Sequence, residues 1–240
     1  MDHQDHVNLL RDGVPTPGGV WADLGSGTGA FTLALAQLIN PAVPQSSGLC
    51  PLEIYSIDRD AGALRTQKKR MSIHFPHLTV HYLTADFTRP LDLPPLDGIV
   101  MANSLHFVRD KDPVLHLLRG YLRPGGRLLI VEYDTDRGNA WVPHPISYET
   151  WSTLAARAGL VGTRLLHIRP SRFLGRIYSA LSLVDDTEHA QASNTRPGSR
   201  AFGDIEVQSD TEIRANTDQT LRVSPFVPVY LCVTSYTTPA

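Results

Sequence analysis

Cysteine is scarce in this 240-residue chain: Cys50 and Cys232 are its whole complement. Two such residues build no disulfide framework and no Cys-x-x-Cys metal motif, which fits a reducing compartment. No apolar run approaches the ~20 residues that cross a bilayer. Met1-Asp-His-Gln-Asp-His6 also lacks the basic-then-apolar layout of an export signal. The chain is therefore expected in the cytoplasm and away from membranes. Excess charge is missing too: a net charge of −2 offers no global attraction for nucleic acid. Lys68-Lys-Arg70 is a short basic run that reads as a solvated helix face. His77 and His81 have H-x-x-x-H spacing but flank a strand start, with no evident third ligand, so no metal is expected.

What is present is enough apolar material for a core, 42% of residues, arranged in alternating strand-like and helix-like segments. Strands are predicted at Val20–Leu24, Glu53–Ile57, Thr79–Thr84, Gly98–Ala102 and Arg127–Tyr133. Between them run stripes with three- and four-residue spacing, such as Phe31, Ala34, Leu35 and Leu38. A second stripe, from Val114 to Leu122, is opened by Asp112 as N-cap and Pro113 as first helical residue. A third, Trp151 to Ala158, lies between Ser147 and Gly159. Val161–Ile168 and Phe173–Ala180 are separated by only Arg169-Pro-Ser-Arg172, too short for a crossover helix, so they are predicted to form an antiparallel hairpin. The chain divides into a short segment 1–19, in which 2–12 can form a cap helix, a main domain 20–183, and a tail 184–240. From Asp185 the tail carries eight acidic and four basic side chains and no lysine, and it reads as disordered or loosely attached apart from a possible edge strand at 226–233.

The most informative stretch is Val20-Trp-Ala-Asp-Leu-Gly-Ser-Gly-Thr-Gly-Ala-Phe31. A strand runs into Asp23, then glycines at 25, 27 and 29, then a helix. Such spacing brings a ligand close to bare main-chain N–H groups. Gly25, Gly27 and Ala30 also satisfy the dinucleotide pattern G-x-G-x-x-G/A. Asp23, however, suits a ligand with an amino group better than a pyrophosphate, which points to S-adenosylmethionine. Asp58 closes the second strand, where a carboxylate can accept from both hydroxyls of a ribose, a role that serves either ligand.

On these motifs the segment from about residue 6 to 182 resembles the class I S-adenosylmethionine-dependent methyltransferases of the small-molecule type. The resemblance implies an α/β fold: a Rossmann-like three-layer sandwich with a mostly parallel seven-stranded sheet and a C-terminal antiparallel hairpin. It implies that Gly25, Ser26, Gly27 and Gly29 pass under the methionine portion of the cofactor, with Asp23 holding its amino group through the loop. Arg59 lies along the adenine, which Asp86 and Phe87 of Thr84-Ala-Asp-Phe87 grip. Asn103 and Ser104 of Ala102-Asn-Ser-Leu-His-Phe107 contact the cofactor, and His106 is the candidate general base, being the residue type best suited to that work near neutral pH. Leu122-Arg-Pro-Gly-Gly126 is expected to end a helix and turn into the next strand.

On the substrate side stand Tyr133, Trp141 and His144, with Glu132, Asp134 and Tyr148 nearby. The chain lacks both the Asn-Pro-Pro-Tyr of exocyclic-nitrogen methylation and a Pro-Cys nucleophile. The expected activity is therefore methyl transfer from S-adenosylmethionine to an oxygen, nitrogen or carbon of a small molecule, by a monomer or homodimer. Two alternatives remain open. An NAD(P)-dependent oxidoreductase would need a pair such as Tyr-x-x-x-Lys, yet every lysine lies between positions 68 and 111 and none completes it. A non-catalytic S-adenosylmethionine-binding partner protein would bind the cofactor without turnover.

Overall fold

The computed structural model describes residues 1–14, 18–40 and 52–186. The element order is α1 (His3–Arg11), β1 (Gly19–Leu24), α2 (Ala30–Ile39), β2 (Leu52–Asp58), α3 (Ala61–His74), β3 (Thr79–Thr84) and β4 (Leu96–Ala102). A single 3-10 turn at Leu105–Phe107 follows, then α4 (Asp112–Tyr121), β5 (Leu122–Tyr133), α5 (Tyr148–Arg157), β6 (Leu160–Ser171) and β7 (Gly175–Val184). The seven strands form one sheet in the order β3-β2-β1-β4-β5-β7-β6. All pairings are parallel except β5 with β7 and β7 with β6.

The period of two along each strand builds the three layers. Val20, Ala22 and Leu24 of β1, Ile99 and Met101 of β4, and Leu128 and Ile130 of β5 face one way, onto α4 and α5 through Val114, Leu118 and Trp151. Their neighbours Trp21, Val100, Leu129 and Val131 face the other way, onto α1, α2 and α3 through Leu9, Leu10, Leu35 and Met71. The chain winds outward from β1 to β3, returns to β4, and continues in the opposite direction. The switch between β1 and β4 opens a crevice at the strands' carboxyl ends.

Several sequence expectations are corrected in detail. The 2–12 segment is indeed a helix, closed at its start by a reciprocal Asp2–Asp5 capping box. Its buried Val7, Leu9 and Leu10 belong to the core shared with α2, so its packing is that of a layer helix rather than of a cap alone. Asp112 is not the N-cap of α4: Lys111 holds that position, and the Asp112 carboxylate pairs with Arg157 of α5. Pro-Gly-Gly does not precede β5 but lies inside it. Leu122 pairs with Leu96 and Arg127 with Gly98, so the extra residues bulge out, with Gly125 at φ 69°. The hairpin turn is shifted to residues 172–174, and Phe173 sits in the turn rather than in a strand. The 41–51 loop and the tail from residue 187, including its possible edge strand, lie outside the described residues.

Gly98 lies opposite Trp21 in the β1–β4 register, and a Cβ there would overlap the six-membered ring of that buried indole. Gly98→Ala is expected to destabilise the fold by roughly 1–3 kcal/mol, the usual cost of overpacking, read by urea unfolding. Trp21→Leu in the same background should recover part of the loss.

Candidate functional site

Three connections meet in the crevice. The first, β1 to α2, is the glycine loop. Gly25 N–H and Ser26 N–H both donate to Ile57 O of β2, at 2.8 and 3.1 Å. Gly27 N–H donates to Asp58 Oδ2 at 2.7 Å. The glycines serve different ends. A Cβ on Gly25 would overlap Ser104 and lie 3.3 Å from the Phe87 ring, and one on Gly29 would overlap Gln67 of α3. Gly27, at φ 54°, faces open space. The loop is therefore pressed from both sides by protein while its middle residue is bare.

Beneath the loop lies a polar network that the sequence did not announce. Ser26 Oγ is 2.8 Å from Ser56 Oγ, which in turn meets both the amide oxygen and the amide nitrogen of Gln67, and Ser56 and Gln67 are fully buried. Asp23 is 1% exposed and accepts from Thr32 Oγ1 of α2. Its burial drives the carboxyl up to about 7, Thr32 opposing and the Asp58 charge reinforcing the shift.

At the ends of β2 and β3, Asp58 Oδ1 accepts from Asp60 N–H at 2.8 Å, so both of its oxygens are already oriented by main-chain donors and keep lone pairs for a ligand. Asp86 Oδ1 accepts from the N–H and the hydroxyl of Thr88, which hold its carboxyl below the usual range. Arg59 is exposed, and its charge contributes to that lowering.

After β4, Asn103 sits at φ 53°, the one non-glycine residue with positive φ among those described. Its Oδ1 is buried and has no partner, a cost that a ligand donor would remove. Ser104 Oγ donates to Leu24 O, tying β4 to β1. The side chains of Ser26 and Ser104 are thus engaged within the protein.

His106 is 3% exposed, and its Nδ1 lies 2.7 Å from Glu132 Oε2. Glu132 is fully buried and also accepts Leu105 N–H and His106 N–H on Oε1, at 3.0 and 3.2 Å. This pairing leaves Nε2 as the nitrogen free to exchange a proton. Sequence reasoning placed Glu132 only in the neighbourhood of the substrate. The available signal was a carboxylate directly after the apolar run Leu128-Leu-Ile-Val131, on the same strand, where it requires a buried partner.

Around this pair, the ring of Phe107 lies 4.4 Å and that of Tyr133 6.3 Å from the His106 ring, centre to centre. His144 N–H donates to His106 O, and Lys111 Nζ bridges Val108 O and His144 O. Trp141 projects into solvent, 76% exposed. A cavity of about 460 Å³ lies at the opposite end of β4 and β5 between Leu93, Tyr121 and Val184 and contains none of these groups. His81, for its part, is paired with Glu53 at 3.0 Å.

The fold and the glycine loop define a Rossmann-like domain with a crevice at the carboxyl ends of its strands. Residues 22–128 match the family model described as a methyltransferase domain. The ubiquinone/menaquinone biosynthesis C-methyltransferase UbiE of Pasteurella multocida is 31% identical over 113 residues, covering 46% of this chain and 38% of that protein. A probable polyketide synthase 38 of Dictyostelium discoideum is 29% identical over 119 residues, 46% of this chain and 4% of that protein. The match thus spans about two fifths of the UbiE relative.

Among solved structures, YcgJ from Bacillus subtilis has a TM-score of 0.60 at 11% identity, covering 76% of this chain and 99% of that one. The CurJ carbon methyltransferase has a TM-score of 0.56 at 19% identity, with 71% and 50% covered. An S-adenosylmethionine-dependent methyltransferase from Aquifex aeolicus has a TM-score of 0.55 at 17% identity, with 77% and 99% covered. The described residues share the fold of these two methyltransferases, and residues 22–128 match the methyltransferase-domain model.

The Asp23 carboxyl makes stability depend on pH. Below its ordinary value of 3.8 it is protonated in both the folded and the unfolded chain. Between that value and about 7 the unfolded chain ionises first, so this group's contribution to stability falls as pH rises and stays lost above. Asp23→Asn is expected to flatten urea-derived stability across pH 4–7.5. Relative to wild type, it should gain on the order of 2–4 kcal/mol at the upper end.

Proposed function

We propose that this chain methylates carbon, taking the methyl group from S-adenosylmethionine and delivering it to a small molecule whose C–H is acidified by an adjacent carbonyl. The observation that carries this reading is the buried His106–Glu132 pair at the carboxyl ends of β4 and β5. A carbon acid keeps its proton at neutral pH, as a phenol or an ammonium does, so the acceptor needs a base held in one tautomer. Glu132 supplies that hold. The reading is supported by the printed names of UbiE and CurJ, both carbon methyltransferases.

In this assignment Asp58 takes the ribose hydroxyls, Asp86 and Phe87 the adenine, with Arg59 along its edge. The orphaned Asn103 Oδ1 suits the ammonium of the methionine portion, and the bare Gly27 leaves room for it. Gly25, Gly29, Ser26 and Ser104 act by shaping the loop, and Asp23 by placing a carboxylate beneath it. When bound, S-adenosylmethionine supplies an electrophilic methyl on a sulfonium. His106 Nε2 takes the proton from the acceptor carbon, and the resulting imidazolium is balanced by Glu132. Tyr133, His144 and Trp141 lie on the acceptor's side of that base.

Calorimetry with S-adenosylmethionine, using NAD and NADP as controls, tests the cofactor. Binding to wild type, weakened at least about tenfold in Asp58→Ala, is expected, and binding of NAD(P) alone would refute the reading. With the cofactor bound, a panel of 1,3-dicarbonyl acceptors is then followed for methyl transfer and for C–H exchange in deuterated water. His106→Ala is expected to lower both by roughly 10²–10⁴-fold while cofactor binding persists. Transfer to an oxygen or nitrogen acceptor that is indifferent to His106→Ala would count against carbon as the target.

A further inference from the structure

The exposed Phe and Trp side chains of the described residues are not scattered. Phe107, Trp141 and Phe173, exposed by 57, 76 and 49%, occupy three different connections: after β4, after β5 and between β6 and β7. Because β6 runs parallel to β5, all three connections lie at the same end of the sheet, the end that holds His106. Each is joined to that residue by a defined contact. Phe107 is its direct ring neighbour, and Phe173 reaches it through Tyr133, 5.8 Å from the Phe173 ring. The Trp141 loop is fastened by the bond from His144 N–H to His106 O.

That loop is also rigid. Asn139 Oδ1 accepts the N–H groups of both Trp141 and Val142, and Asp136 accepts from Ser147 and Thr150. Exposed aromatics held on fixed supports lose little entropy when something covers them.

Each aromatic has an exposed arginine close in sequence: Arg109, Arg137 and Arg172. Among the described residues none of the three forms an ion pair. Of the carboxylates on the same connections, Asp134 pairs with Arg176 and Asp112 with Arg157. That leaves Asp110 and Asp136, the latter bound only to neutral donors, as the opposing charges. Exposed apolar area and cationic side chains therefore share the rim at one end of the sheet.

We infer that this rim recognises the methyl acceptor, and that the acceptor is an amphiphilic anion: an apolar body carrying a phosphate or carboxylate group. The inference rests on the methyl-transfer reading of the same opening. The aromatics cover the apolar body next to His106, and the arginines hold the anionic end at the margin, where guanidinium groups favour phosphate and carboxylate.

The test uses the full chain and decyl phosphate below its micelle concentration, with decanol, inorganic phosphate and phosphatidylglycerol vesicles as the other probes. Trp21 and Trp151 are buried, so protection from acrylamide quenching reports mainly on Trp141 among the described tryptophans. Decyl phosphate is expected to protect. The triple variant Arg109→Gln, Arg137→Gln, Arg172→Gln should weaken it roughly tenfold and leave decanol unchanged. Phe107→Ser with Phe173→Ser should weaken both. S-adenosylmethionine titrations should be unaltered in either variant.

Equal affinity in wild type and variants, no protection by decyl phosphate, or protection by vesicles alone would each overturn the inference, the last making the rim a lipid-facing surface. If the rim behaves as expected but S-adenosylmethionine binds no form of the chain, the methyl-transfer reading fails while anion recognition at the rim stands.

Discussion

One buried carboxylate organises the carboxyl ends of β4 and β5. Glu132 accepts two main-chain N–H groups from the 3-10 turn and meets the imidazole of His106 within it. A fully buried charge left without donors would cost several kcal/mol, so these three contacts come as a set. Together they fix the path of the chain after β4 and the orientation of the histidine. The effect passes onward, because the carbonyl of the oriented His106 accepts from His144, and Lys111 clamps the carbonyls of Val108 and His144. The loop that carries Trp141 is thereby placed by a bond that originates on the neighbouring strand.

The cofactor side rests on a different device. Its glycine loop is held by main-chain donors to Ile57 O and Asp58, by the Ser26–Ser56–Gln67 network below, and by close approach of Ser104 and Gln67. No single partner dominates. Asp23, with one side-chain donor, stays poorly compensated in the folded chain. A cationic group bound above the loop would favour its ionised form, so the strain at Asp23 and the orphaned oxygen of Asn103 are two costs that one ligand reduces together.

The cofactor side was legible in sequence because its residues are local. Asp23 to Gly29 is one continuous turn, and Asp58, Asp86 and Asn103 each stand at the end of a strand that periodicity locates. The acceptor side was only partly legible. His106 was visible as a polar residue on the right loop, but its partner lies 26 residues away on β5, a separation no local pattern reports. Similar tertiary effects moved the boundaries. Asp112 left its capping role for Arg157, 45 residues away. The hairpin turn fell later than expected because β6, an edge strand with a largely exposed face, carries arginines and histidine where an interior strand would be apolar.

The two halves of the crevice differ in how closely their residues are tied to the sheet. The half with the glycine loop is built on connections after β1, β2, β3 and β4 and has little side-chain bulk at the loop, so substitutions there disturb the sheet itself. The acceptor half is built on β5 and the reversed pair β7–β6, whose connections hang from the sheet by a few hydrogen bonds. Exposed aromatic and arginine side chains on those connections can change without touching the core, while Glu132 continues to hold the imidazole of His106.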